Sequence, residues 1–242
     1  MAEVRYQPQV QTQVEIDQGL RSYMLKVYNY MAAGLGITAV AAVGTYNAAV
    51  DSAGGLTSFG QLVFGSPLMW VIVLAPVALV FFLSFRIHKM SVAAAQTTFW
   101  IYAALVGVSF ASLGLVYAHD SIARVFLITA ATFGAMSLYG YTTKRDLSGM
   151  GSFLFMGLIG IILASLVNMF LASSPLAWVI SVVGVLIFTG LTAYDTQKIK
   201  EMYFAGDEVA VMGRKAIMGA LNLYLDFINL FLMLLRIFGN RN

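Results

Sequence analysis

The sequence contains no cysteine. That excludes a disulfide scaffold, a thiol nucleophile and a thiolate metal site. Histidine is almost as scarce: His88 and His119 are the only two, too few and too far apart for a zinc or haem centre built on imidazole. Charge is sparse as well. Asp, Glu, Lys and Arg make up 10% of the 242 residues, and the formal net charge is +3. With no basic run carrying interleaved aromatics, nucleic acid is not an expected partner. The apolar stretches hold no Ser/His or metalloprotease motif and the chain no Walker sequence, so enzymatic activity is not expected, nor is a bound cofactor.

Apolar residues fill the space that charge leaves: 60% of the chain is hydrophobic, and the mean hydropathy is +0.83. A soluble domain of this length would need a far more charged surface, so most of the chain must have the lipid bilayer as its solvent. Residues 1–22 are polar and mixed in charge, and lack the apolar core and cleavage site of a secretory signal. They are expected to form a short cytoplasmic tail, poorly ordered unless something docks it. No linker divides residues 23–242, which read as one transmembrane domain.

Crossing about 30 Å of hydrocarbon takes roughly 20 mainly apolar residues in a helix. Seven stretches qualify: Met24 to Val50, Pro67 to Phe85, Val92 to Tyr117, Ile122 to Tyr141, Ser152 to Ala172, Leu176 to Tyr194, and Ala216 to Phe238. Their length and continuity predict an all-α, seven-helix bundle rather than barrel strands of alternating polarity. No internal repeat is evident, which weighs against inverted-repeat transporter folds. Eleven of the fourteen basic residues fall on one side of these spans, and only Arg124, Arg236 and Arg241 on the other. By the positive-inside rule the N-terminus is expected in the cytoplasm and, with seven spans, the C-terminus outside.

Ionisable groups inside a span cost about 2.5–3.5 kcal/mol on insertion scales and mark function when they persist. Asp226 lies about 17 Å beyond Lys215 along a helix axis, near the midplane. Gly219, Asn222, Asp226, Asn229, Met233 and Arg236 step by three and four and share one stripe. Such a stripe faces a wet pathway, or else a buried hydrogen-bond network that fixes packing. Asp195 closes the sixth span, where a functional carboxylate and a merely solvated one look alike. The two carboxylates belong to neighbouring helices, yet counting from the flanking basic residues leaves Asp195 roughly 10 Å shallower. A shifted or longer sixth helix would bring them together. A meeting pair in low dielectric resists ionising twice, so it can hold one proton, bind a cation, or exchange one for the other. As a metal site, Asp195 and Asp226 would be a weak, transient Ca²⁺ ligand set. Arg86 closes the second span, where it either snorkels to the interface or reaches inward to neutralise a carboxylate.

The strings TAYDTQKIKEMY at the end of the sixth span and ALNLYLDFINLFLMLLRIFG in the seventh resemble the paired signature of the Bax inhibitor-1 family. TKRDLSGMGSFLFMGLIGI is similar to its bacterial YccA-like branch, and the likeness covers nearly the whole chain after the tail. The resemblance implies a bundle with a central seventh helix surrounded by the other six, and a pH-sensitive Ca²⁺ leak across a bacterial cytoplasmic membrane. It makes Asp195 and Asp226 the pH sensor and gate, with Arg86 the candidate latch. The second span lacks the glutamate that some relatives carry there. Two rival roles stay open: a non-conducting modulator of a membrane-bound AAA protease, and a proton-coupled transporter. Protons, calcium ions and that protease are thus the expected partners besides lipid.

Overall fold

The computed structural model describes residues 13–242, with side chains from residue 17 onward. The part of the expected tail up to residue 12, with Arg5, lies outside the described residues. The remainder of that tail is helical, because α1 runs from Gln13 to Ala49. At 1.5 Å per residue its 37 residues reach about 55 Å, well past the hydrocarbon. The span detected by apolarity is the lipid-embedded part of a longer rod.

The next elements are a short helix α2 (Ser58–Phe64), α3 (Leu68–Arg86) with a 3₁₀ turn at Ile87–Lys89, and α4 (Val92–Phe110). They continue with a four-residue α5 (Leu113–Val116), α6 (His119–Thr142), α7 (Ser148–Leu171), α8 (Ser174–Glu201) and α9 (Val209–Phe238). Seven of these helical stretches are long and apolar enough to cross a membrane, and no strand forms among the described residues. Starts and stops follow local chemistry. The Oγ of Ser91 and of Ser173 accept bonds from Ala94 N and Leu176 N at the heads of α4 and α8. Ala172 ends α7 in the left-handed region (φ 49°), and Asn168 Oδ1 takes the Ser173 amide that follows. The third expected span is not continuous: it breaks after Phe110, where Ser109 and Ser112 donate to the carbonyls of Val106 and Ser109.

Helix α9 is the axis of the bundle. It packs directly against α8, α1, α6 and α4, while α3 lies chiefly on α4 and α7 on α8. Four helices rather than six therefore form its immediate wall. With hydrocarbon outside, attraction between helices comes from close fit rather than from water exclusion. Two glycines show how close. A Cβ on Gly107 of α4 would run into the Thr38 carbonyl of α1, and one on Gly140 of α6 into the Ala193 backbone of α8. The outer surface is apolar, with Phe81, Phe85, Phe153, Phe170, Leu127 and Leu186 exposed, as lipid requires.

The bundle has two distinct ends. One collects the start of α1, the end of α3, the α6–α7 loop and the α8–α9 loop, and with them most of the basic residues. The other collects α2, α5 and the residues after α9, where Ala118 N bonds Asn240 O and Asn242 N bonds Val116 O. Gln13 and Asn242 thus sit at opposite ends, as an odd number of crossings demands.

Candidate functional site: a carboxyl pair between α8 and α9

α8 continues seven residues past the span expected for it, to Glu201, so Asp195 lies well inside the helix rather than at its edge. Its inner face meets α9 in antiparallel register: Gly184 against Met233, Ile199 against Gly219, and between these contacts Asp195 against Asp226. The two carboxyl groups thus face each other across the α8–α9 contact. The depth difference inferred from the basic residues disappears for an identifiable reason. Lys215 is not level with Lys198; its Nζ donates to the carbonyl of Met202 at 2.9 Å, four residues further on and just past the end of α8. Four residues are about 6 Å of helix, and long side chains span the remaining turn.

Asp226 is 5% exposed, and its Oδ2 is buried with no donor among the described residues. Asp195 is partly buried, and the cation nearest in effect is Lys198, one turn on in the same helix and exposed. The neighbouring polar groups do not serve the pair. Thr192 and Thr196 donate back to the carbonyls of Phe188 and Thr192, and Asn229 Nδ2 donates to Leu225 O. Two facing carboxyls in low dielectric resist ionising together, so the pair favours a state that holds one proton. The arrangement is a buried carboxyl pair in which Asp226 Oδ2 is an acceptor without a donor among the described residues.

The polar stripe divides in the structure. Asp226 turns toward α8, whereas Asn222 and Asn229 fall on the half-buried face of α9 with Met218, Leu225 and Leu232. That face lies between α8 and α4, where no other helix packs closely. Arg86 is not brought to the pair. The inward residue of its turn is Ile87, 1% exposed; Arg86 itself is exposed and makes no ion pair among the described residues. The latch expected from the resemblance is absent from this arrangement because α3 packs on α4, one layer away from α9.

Three sets of contacts around the site had no sequence signal. Tyr28 Oη, Ser137 Oγ and Thr196 Oγ1 form a chain of hydroxyls from α1 through α6 to α8, with separations of 2.6 and 3.0 Å. Tyr224 Oη lies 2.6 Å from Thr38 Oγ1, which also donates to Ala103 O, tying α9 to α1 and α4. At the basic end, Gln197 holds the α6–α7 loop, accepting from Leu147 N and donating to Arg145 O, both at 2.8 Å. Neutral hydroxyls and amides are common enough in spans that nothing but geometry distinguishes these.

The profile described as Inhibitor of apoptosis-promoting Bax1 matches residues 20–242. The chain belongs to the Bax inhibitor-1 family. Inner membrane protein YbhL of Escherichia coli K12 is 50% identical over 226 residues, covering 92% of this chain and 93% of YbhL. Protein RP147 of Rickettsia prowazekii is 51% identical over 228 residues, 93% of this chain and 92% of its own length. The membrane protein SpyM3_0260 of Streptococcus pyogenes is 40% identical over 227 residues, 93% of this chain and 96% of its own. The family assignment therefore rests on the full bundle, and this Bax inhibitor-1 family member is an integral membrane protein.

Proposed function

We propose that this Bax inhibitor-1 family protein is a pH-sensitive cation leak channel, most suited to Ca²⁺, gated by Asp195 and Asp226 in a bacterial inner membrane. One observation carries the reading: two carboxyls from adjacent helices face each other at a buried contact where Asp226 Oδ2 has no donor among the described residues. Loss of the shared proton would leave like charges together in low dielectric, with Lys198 the nearest compensation, and would push the facing segments of α8 and α9 apart. The pair offers two hard oxygen-bearing groups where Ca²⁺ takes six to eight oxygens, which suits an ion in passage rather than a resident one. The half-open face of α9 bearing Asn222 and Asn229 supplies polar groups along a route beside the gate. The inner membrane is inferred from YbhL, and the basic end is assigned to the cytoplasm.

Ca²⁺ flux into liposomes across a pH series tests the gate. Asp195→Asn and Asp226→Asn each fix a neutral side chain of the same size, so each is expected to flatten the pH dependence. The double variant should add little, because the two groups titrate as a unit. Asp226→Asn is expected to be the more severe, being the more buried. Wild-type pH profiles in both single variants, with unchanged thermal stability, would show the carboxyls to be structural. Orientation is checked separately: a reporter fused after Asn242 should read as periplasmic and one at Met1 as cytoplasmic.

A further inference from the structure

The seam between α1 and α6 is not closed. A groove of about 650 Å³ runs along it, walled by Met24, Met31 and Leu35 of α1 and by Phe133, Gly134 and Leu138 of α6. Within the slot Tyr28 Oη and Ser137 Oγ bond each other, and the remaining polar lining, Arg21 and Tyr141, lies toward the basic end. The slot presented outward is therefore apolar. At the basic end it opens onto a shelf of about 420 Å³ that carries Arg21, Ser22, Lys26 and Asn29, with Arg21 and Leu25 common to both. From Arg21 to Leu35 is about 21 Å of helix, more than the roughly 15 Å depth of one leaflet's hydrocarbon.

An occupant of the slot must bring no unsatisfied polar groups into hydrocarbon, which an acyl chain does and an irregular peptide does not. At the shelf the same occupant meets two exposed cations, Arg21 and Lys26, the latter 6.0 Å from the Tyr30 ring centroid, with Ser22 and Asn29 on the same shelf. Apolar below and cationic above is the complement of an anionic amphiphile. We propose that the α1–α6 groove is a binding site for an anionic phospholipid, with its phosphate on the Arg21–Lys26 shelf and one acyl chain in the slot. The site does not depend on whether the protein conducts ions. A Cβ on Gly134 would meet nothing within 4 Å, so the slot can be filled from that position without displacing the packing.

The test uses the purified, delipidated full-length chain, titrated with phosphatidylglycerol or with phosphatidylcholine of the same acyl composition. Bound lipid is counted by native mass spectrometry. Wild-type protein should retain phosphatidylglycerol preferentially. Arg21→Gln and Lys26→Gln should each weaken that retention about fivefold, the contribution of one basic residue near an anionic headgroup. Gly134→Leu should remove the adduct with the melting temperature unchanged; Ala32→Leu, which enters the slot from α1, serves if the first variant folds poorly. Equal retention of the two lipids, adducts that survive both blocking variants, or a protein dimer in place of lipid adducts would each overturn the proposal. So would competition by glycerol 3-phosphate as strong as that by intact lipid.

Discussion

The two ends of the bundle are fastened by different chemistry. At the basic end, side chains do the tying: Gln197 to the α6–α7 loop, Lys200 Nζ to Tyr141 O at 2.9 Å, and Lys215 Nζ to Met202 O and, at 2.6 Å, to Asp207. At the far end backbone-to-backbone bonds predominate, in the Val50–Leu56 and Tyr117–Arg241 bridges and the amides of Ala118 and Asn242, joined by Ser121 Oγ with Asn240 N and by Asp51 Oδ1 within its own loop. Peptide bonds carry no net charge and cannot be titrated, whereas three of the basic-end ties involve a lysine. The end nearer Asp195 is thus the one whose ties between elements are more open to salt and to single substitutions.

The largest break in this contrast is expected from Gln197→Leu, which keeps the volume but strands Leu147 N and Arg145 O. Two unpaired backbone groups put the loss at about 2–4 kcal/mol in a denaturation series. Ser121→Ala at the far end, where Ser121 Oγ accepts a bond from Asn240 N, should cost about 0.5–1.5 kcal/mol. A larger cost there would reverse the ranking of the two ends.

Next comes Lys215→Met. The pair with Asp207 is partly shielded, so its loss should cost about 1–3 kcal/mol and speed amide exchange across residues 202–215. In wild type the same segment should exchange faster as salt rises, because screening weakens the pair, while residues 239–242 stay unchanged. Uniform salt sensitivity at both ends would contradict the division drawn here.

The smallest effect is confined to acid. Asp146, in the α6–α7 loop, accepts a bond from Ser148 N at 2.8 Å, and hydrogen bonds from Ser148 hold its carboxyl below the ordinary 3.8. A carboxylate favoured in the folded state stabilises above its unfolded value, and the benefit fades as pH falls through the lowered one. Exchange in residues 143–148 should therefore quicken below about pH 3.8 in wild type, and Asp146→Asn should lose that step.

Hydropathy made the seven spans legible and the cost of burying charge singled out Asp226, whereas Asp195 stood out only through the family resemblance. What stayed hidden depends on packing. Residues 13–22 are polar, so apolarity missed that α1 continues through them. Lys198 and Lys215 looked like two markers of one interface, yet α8 runs past the first and the second caps it from beyond. Arg86 had the right charge at the right end, but only the placement of α3 on α4 shows that it faces away. Tyr28, Ser137 and Thr196 have ordinary identities, and their meeting is a property of three helices at once.

The close approaches at Gly107 and Gly140 have a mechanical corollary. Where backbone lies on backbone there is no side chain to slide or re-rotamerise, so α1 with α4, and α6 with α8, behave as two stiff staves. Between α1 and α6 the side-chain link among the described residues is one hydroxyl pair, Tyr28 with Ser137, bordering an open groove, and hydroxyls can swap partners at little cost. Compliance is thereby concentrated in one seam, and lateral pressure in the bilayer would be felt there first, as a widening of that seam about α9.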